Sequence, residues 1–364
     1  MNTTDARKNT AQRLTLVVLF GGRSAEHDVS CVTAAHVIAA TDPNKYRITV
    51  IGITRDGFWV SPTDVQSVLD ADSRDIPTSL VAEGVPVSPS LISEIASSQH
   101  VVVIPLLHGP LGEDGTIQGL LEMLDVAYVG SGVLSCAVAM DKVVAKQLLG
   151  ANNIPQCKWQ SLHSSSISDS AIDTVIADLG LPMFVKPANM GSSIGISKAK
   201  TRDDVVASVR TAALYDEWIV CEESVTAREI EVSVLGNLSP KASTAGEIIP
   251  GGEFYDYEDK YINNSAQLIV PASLTPQQLA EVQHLAIEAY QALRCEGMAR
   301  VDFFYEENGR GFLCNEINTI PGFTPISMYP KLWDASGMPY SQLIDELVEL
   351  ARERYARRPH NTKR

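Results

Sequence analysis

Four polar residues late in the chain, Arg300, Asp302, Glu316 and Asn318, have types and spacings that could hold a cation. They lie in MARVDFFYEENGRGFLCNEIN, where Arg300 and Asp302 share one face of a strand and Glu316 and Asn318 one face of the next. Asn308-Gly309 between them is a hairpin signal. A two-residue turn centred there pairs Asp302 with Asn315 and sends Glu316 to the opposite face. A three-residue loop or a bulge pairs Asp302 with Glu316 and Arg300 with Asn318, so that all four converge; this second register is the one expected. Two carboxylates and an amide oxygen are hard ligands suited to Mg²⁺, which reaches proteins through carboxylates together with nucleotide phosphates. An arginine beside them can stabilise a developing oxyanion or a moving phosphoryl group. The plainer reading is a solvated strand face with salt bridges. The apolar alternation of Val301, Phe303, Leu313 and Ile317 favours the metal reading over it.

A second stretch, KPANMGSSIGI (Lys186 to Ile196), puts a lysine at the end of an apolar strand and follows it with glycines and serines. Glycines let backbone N–H groups approach an anion and serines add donors. Taken alone, a flexible hairpin loop with a chance lysine is the better reading. Neither GxxxxGK[ST] nor GxGxxG occurs, so a P-loop nucleotidase and a dinucleotide-binding dehydrogenase are unsupported.

The elements that must position these residues follow from the apolar pattern. LTLVVLF ends in Gly21-Gly22, and VSCVTAAHVIAA reads as a helix; YRITVIGIT and VVVIPLL are further buried strands, with TIQGLLEML helical after them. Alternating strands and helices imply a parallel sheet, whose ligands bind at the carboxyl ends of its strands. Two loops sit at such ends, GGRSAEHD with Glu26 and HGPLGEDGT with His108. A helix near DKVVAKQLL opens a second unit, and strands dominate from about Ala227, interrupted by the helix TPQQLAEVQHLAIEAYQAL. The expected units are residues 1–138, 139–226 and 227–364.

The chain of 364 residues carries a formal net charge of -15 at pH 7, which repels nucleic acid and anionic membrane, so an anionic ligand needs a local cluster of donors. The six cysteines form no CxxC pair and read as reduced core residues of a cytoplasmic protein. No signal-peptide core or run of membrane-spanning length occurs. A symmetric homodimer is the expected assembly.

Several ordered motifs, GGRSAEHDVS, HGPLGEDGTIQGLLE, GSGVLSCAVAMDK, FVKPANMGSSIGI, EESVTAREIEV, YDYEDKY and MARVDFF followed by NEINTIPGFTPISMYP, are together specific. From about Leu14 to Leu350 the chain resembles the D-alanine–D-alanine ligase family of the ATP-grasp superfamily. The resemblance implies an α/β fold of three domains, an N-terminal parallel-sheet domain and two α+β domains clasping the nucleotide. It implies ligation of two D-alanines through an acylphosphate, with release of ADP and phosphate, for peptidoglycan precursor synthesis. It also implies roles for individual residues. Lys142 and Lys186 would contact the α- and β-phosphates of ATP, with Ser192 and Ser193 in a loop that closes over the triphosphate. Glu222, Glu223 and Val225 would hold adenine, and Glu229 the ribose. Asp302, Glu316 and Asn318 would bind Mg²⁺ or Mn²⁺. Arg300, with a backbone N–H near Gly322, would stabilise the tetrahedral intermediate. Glu26 would receive the ammonium of the first D-alanine, with His108 nearby. Ser327 and Lys260 would receive the carboxylate of the second, with Met328 beside them. Ser192 and Tyr261 would hydrogen-bond towards Glu26, and YDYEDKY would form a second lid.

Competing readings stand beside these roles. Glu26 precedes a helix, so capping competes seriously. Lys142 taken alone is a solvated helix lysine, His108 a core histidine and Ser327 a turn residue. Among rival functions stands a ligase joining D-alanine to D-lactate or D-serine; the resemblance implies that Tyr261 favours a dipeptide over a depsipeptide, and Met328, near the second subsite, leaves the rival in play. A non-catalytic nucleotide-binding regulator predicts loss of a metal ligand or Arg300, and none is lost.

Overall fold

LTLVVLFG forms β1 (Leu14–Gly21), a strand buried on both faces. Leu16, Val18 and Phe20 enter one core, while Val17 and Leu19 enter another on the far side of the sheet. That two-sided burial is why the run is continuously apolar rather than alternating. A computed structural model of the chain describes residues 13–70, 75–98, 100–251, 266–324 and 326–358. The sheet continues with β2 (Tyr46–Ile53), β3 (Trp59–Ser61), β4 (Val85–Pro86), β5 (Val101–Pro105) and β6 (Ala127–Tyr128), in the order β4-β3-β2-β1-β5-β6. β2, β1, β5 and β6 are parallel, whereas β3 and β4 add an antiparallel edge. These edge strands span three and two residues, too short for a period to show in the sequence.

The strand order reverses between β1 and β5, because the chain leaves β1 for β2 on one side and returns to β5 on the other. The loops after β1 and β5 therefore open a crevice at the switch point, where open α/β sheets bind ligands. The hydroxyl of Ser24 in the first loop donates to the carbonyl of His108 in the second at 2.6 Å. Ser30, in helix His27–Ala40, accepts from the N–H of Gly21 at 2.7 Å and donates to the Leu106 carbonyl.

The second sheet contains β7 (Trp159–His163), β8 (Met183–Pro187), β9 (Ser197–Ala199) and β10 (Trp218–Glu223), ordered β7-β10-β8-β9 and antiparallel throughout. Helices Asp169–Leu179 and Arg202–Ala212 cover one face through Ile172, Val175, Val205 and Val209. The third sheet contains β11 (Arg228–Gly236), β12 (Lys241–Ile249), β13 (Gln267–Ile269), β14 (Gly297–Glu306) and β15 (Gly311–Asn318), ordered β13-β12-β11-β14-β15. Helix Pro276–Ala292 packs on it through Val282, Ala286, Ala289 and Tyr290. A Thr275–Gln278 capping box and Pro276 in the first turn start that helix.

The last helix, Tyr340–Arg357, returns to the first sheet. Its Leu343, Ile344, Leu347 and Val348 share a core with Leu16 and Val18. Arg354 is buried there, donates to the Tyr128 carbonyl at 3.0 Å and stacks over the Tyr128 ring at 4.1 Å. All six cysteines are buried and unbridged. Burial raises their thiol pKa values, Cys157 to about 11 and Cys221 to about 12. Among the described residues no helix is long and apolar enough to cross a membrane.

Candidate active site

A cleft of about 1450 Å³ is lined by the second and third sheets and by the loops that follow β1 and β5. On its third-sheet wall, β14 and β15 keep a two-residue-turn register from Glu306–Gly311 back to Phe303–Cys314, then shift by one. Asn315 is the extra residue of this bulge, and beyond it Asp302 faces Glu316 and Arg300 faces Asn318. The expected convergence is present, produced by a bulge rather than by a longer turn. Arg300 grips Asp302 with two bonds, Nε to Oδ1 at 2.7 Å and Nη2 to Oδ2 at 2.6 Å. Asn318 Nδ2 donates to Asp302 Oδ2 at 2.9 Å, so its amide oxygen is the atom with which it could meet a cation. Burial opposes the Arg300 charge, but Asp302 and Glu231 outweigh it and hold the guanidinium ionised far above ordinary pH.

The donor set fits a hard divalent cation that also binds a nucleotide. Asp302 and Glu316 supply carboxylates and Asn318 an amide oxygen, the ligand types that Mg²⁺ takes. Among the described residues no group of three or more His, Cys, Asp or Glu could hold a metal alone. Phosphate oxygens or water must therefore complete the shell, the usual arrangement for Mg²⁺.

The second-sheet wall carries cations. Lys186, on β8, and Lys146, in helix Lys142–Ala151, both form ion pairs with the Glu222 carboxylate on β10. Relative exposures are 9% for Lys186 and 2% for both Lys146 and Glu222, so the triad is out of water. Burial alone would raise the Glu222 carboxyl, but the two ammonium groups bring it down to about 2. The expectation set Glu222 beside adenine; its side chain lies between two lysines on the cleft wall. Lys146 was not anticipated. Its spacing of four from Lys142 on one helix face was the available signal. Glu223 accepts from Arg310 Nη1 at 2.6 Å and from the Lys158 N–H at 2.7 Å. Val225 and Glu229 line the same cleft.

The loop from Asn189 to Ile196 lines the cleft and reaches from β8 to Glu26. Lys142 Nζ donates to the Met190 carbonyl at 2.7 Å, which ties the helix to the loop instead of leaving the lysine in solvent. Ser192 and Ser193 have φ of 50° and 60° and Gly195 has 73°, so the serines as well as a glycine take left-handed backbone. Left-handed conformations at non-glycine residues cost on the order of 1–3 kcal/mol each and collect at functional sites. Ser192 Oγ donates to Glu26 Oε1 at 2.5 Å, across 166 residues of sequence.

Glu26 sits at the N-cap position of its helix, but its side chain makes no cap hydrogen bond. The contact to Ser192 takes the carboxylate out towards the cleft, so the capping alternative does not describe its side chain. Gly109 makes room for it: a Cβ there would lie 2.7 Å from Glu26 Oε2. Below it His108 is buried, with Nδ1 3.3 Å from Glu113 and 3.2 Å from the Ile320 carbonyl. Burial disfavours the imidazolium, but Glu113, with Glu26 adding negative charge, raises the His108 pKa above its ordinary value.

At the remaining end, Ser327 Oγ accepts from the Thr324 N–H at 3.0 Å and meets Thr324 Oγ1 at 2.8 Å. Its hydroxyl is turned back onto Thr324 and lies against Gly322, in line with the turn reading. Met328 starts helix Met328–Ala335 and packs on Ile248 and Leu332. Every expected site residue among those described, from Glu26 and His108 to Ser327 and Met328, lines this one cleft. Tyr261, Lys260 and the rest of YDYEDKY lie outside the described residues. Glu231 was also missed; it lines the cleft next to Arg300, and the alternation in REIEV places it on the same face as Glu229.

Known proteins resemble this chain in sequence and fold. A family model described as D-ala D-ala ligase N-terminus matches residues 15–131, and one described as D-ala D-ala ligase C-terminus matches residues 148–349. A D-alanine–D-alanine ligase of Geobacillus thermodenitrificans is 47% identical over 347 residues, covering 93% of this chain and 95% of that protein. One from Halothermothrix orenii is 45% identical, covering 94% and 99%. The solved D-alanine-D-alanine ligase of Coxiella burnetii is 34% identical with a TM-score of 0.79, covering 95% of this chain and 96% of that one. A D-Ala:D-Ser ligase of Enterococcus faecalis is 33% identical with a TM-score of 0.80, covering 93% and 100%. The chain, matched along both halves, belongs to the D-alanine–D-alanine ligase family.

Proposed function

We propose that this chain joins two molecules of D-alanine into D-alanyl-D-alanine while cleaving ATP to ADP and phosphate, in the cytoplasm and as a homodimer, for peptidoglycan precursor synthesis. The observation that carries the reading is the Ser192–Glu26 hydrogen bond, which joins a phosphate-type loop to a buried carboxylate suited to an amino acid's ammonium.

A carboxylate is a poor electrophile, because its charge repels a nucleophile and oxide is a poor leaving group. Attack of the first D-alanine's carboxylate oxygen on the γ-phosphorus of ATP breaks the bond to the β-phosphate bridge and releases ADP. The resulting acylphosphate carries a good leaving group. Glu26 holds the ammonium of that first substrate, and His108 with Glu113 braces the loop beside it. Lys142 and Lys186 meet the phosphates, Ser193 adds a donor, and the segment Glu222 to Val225 and Glu229 line the nucleoside end. The neutral amine of the second D-alanine attacks the acyl carbon. Arg300 and the backbone N–H near Gly322 face the oxyanion, as preorganised donors do in acyl transfer. Collapse expels phosphate, and the new amide nitrogen gives up its extra proton. Ser327 and Lys260 receive the second carboxylate, with Met328 forming part of that subsite. Asp302, Glu316 and Asn318 would hold Mg²⁺ or Mn²⁺, which when bound neutralises charge on the transferring group. Water would destroy the acylphosphate, so the loop carrying Ser192 and the YDYEDKY segment with Tyr261 act as lids.

The chemistry fixes the fate of one oxygen. D-Alanine labelled with ¹⁸O in its carboxylate should pass one label into the released phosphate per dipeptide formed. Dipeptide made with unlabelled phosphate would rule out the acylphosphate.

A further inference from the structure

We propose that Glu231 is a positioning residue that takes over Arg300 when Asp302 becomes a metal ligand. The proposal rests on the metal reading above. Asp302 commits both oxygens to Arg300, and Oδ2 also accepts from Asn318. A cation bound to that carboxylate would repel the guanidinium that already occupies it, so the two cations compete for one anion. Glu231 provides the alternative. It faces Asp302 directly across β11 and β14, while Ser233 faces Arg300, which makes Glu231 the diagonal neighbour of Arg300 on the cleft face. Glu231 Oε2 already stands 3.1 Å from Arg300 Nε, the same nitrogen that bonds Asp302. Glu231 is 5% exposed, so its charge is scarcely screened by water. Slackening of the Asp302 grip leaves Arg300 anchored through Nε to Glu231, with its Nη atoms facing the cleft. Without Glu231, metal binding would strip a buried guanidinium of a carboxylate partner, and Arg300 would hold Asp302 against the metal.

The test measures Mn²⁺ binding with ADP present, by electron paramagnetic resonance of the full chain, independently of turnover. Glu231→Gln should weaken Mn²⁺ by about 10–100-fold, the range for residues that support metal ligands. Glu231→Asp should recover part of the loss. In an Arg300→Gln background the further change Glu231→Gln should make no difference, because no guanidinium remains to hold. Wild-type protein that holds no Mn²⁺ with ADP would remove the metal reading and this proposal with it. Wild-type binding that Glu231→Gln leaves unchanged would overturn the positioning role alone. A full loss that persists without Arg300 would show Glu231 acting by its own charge, which also overturns it. Melting curves accompany each variant; if Glu231→Gln does not fold, Glu231→Asp in the two Arg300 backgrounds decides by the same comparison.

Discussion

Replacing Glu222 by glutamine removes the one carboxylate that Lys146 and Lys186 share. The two ammonium groups then remain in a site where Lys146 is 2% and Lys186 9% exposed. The carboxyl falls from 4.5 to about 2 on folding. At about 1.4 kcal/mol per pKa unit, that descent corresponds to about 3 kcal/mol of stability at neutral pH. The penalty has a ceiling, because a stranded lysine can shed its proton. From an ordinary pKa near 10.4 that costs about 5 kcal/mol at pH 7. The expected loss, about 3–5 kcal/mol, matches what breaking a buried pair typically costs. An unfolding entropy of about 2.1 cal/mol/K per residue over 364 residues turns this into a fall of about 4–6 °C in melting temperature. The ceiling also gives a signature: at pH 9 deprotonation costs only about 2 kcal/mol, so the deficit should narrow there. In acid the sign follows from the lowered pKa. Glu222 contributes fully above pH 4.5, and its contribution disappears as the pH falls through about 2. The variant should lack that slope. Calorimetric melting of both proteins at pH 7 and pH 9 decides it. A deficit under about 1 °C at pH 7, or one that does not narrow at pH 9, would refute the reasoning.

Other perturbations bear on the cleft. Asp302→Ala should abolish Mg²⁺-dependent turnover while the fold survives, because Arg300 keeps Glu231 as a partner; phosphate release at the wild-type rate would remove Asp302 from the site. Ser192→Ala deletes the bond to Glu26. A hydrogen bond to a charged group contributes about 1.5–3 kcal/mol, so kcat/KM for the first D-alanine should fall about 10–100-fold, and an unchanged value would sever the loop from the substrate. Gly246→Ala would place a methyl 2.2 Å from Met328 Cε and 2.9 Å from Leu332 Cδ2. Met328 must then move, and KM for the second D-alanine should rise several-fold; an unaltered KM would take Met328 out of the acceptor subsite.

How much of this could be read beforehand depended on whether the determining contact was local. The bulge at Asn315 was foreseeable because Asp302 and Glu316 share a face only if one residue is spare. The loops of Glu26 and His108 were foreseeable because buried parallel strands announce their carboxyl ends. The short edge strands β3 and β4 carry too few residues for any period. The docking of helix Tyr340–Arg357 onto the first sheet pairs residues some 300 positions apart, as Asp345 with Lys45 and Tyr46 shows. No local pattern encodes that. Lys146 was not singled out beforehand, since it is the tertiary approach of Glu222 that makes it a buried cation. Glu231 was legible in principle from its alternation with Glu229, and was obscured by the stronger ligand pattern of the neighbouring hairpin.

The most direct test of the account is the product itself. The purified chain is given ATP, Mg²⁺ and D-alanine, with or without equimolar D-serine or D-lactate, and phosphate release is followed while product masses are read. The account predicts D-alanine-dependent phosphate release with D-alanyl-D-alanine as the main product in every mixture. A mixed D-alanyl-D-serine or depsipeptide product as the main species would contradict the acceptor assignment. No D-alanine-dependent release would contradict the ligase assignment as a whole.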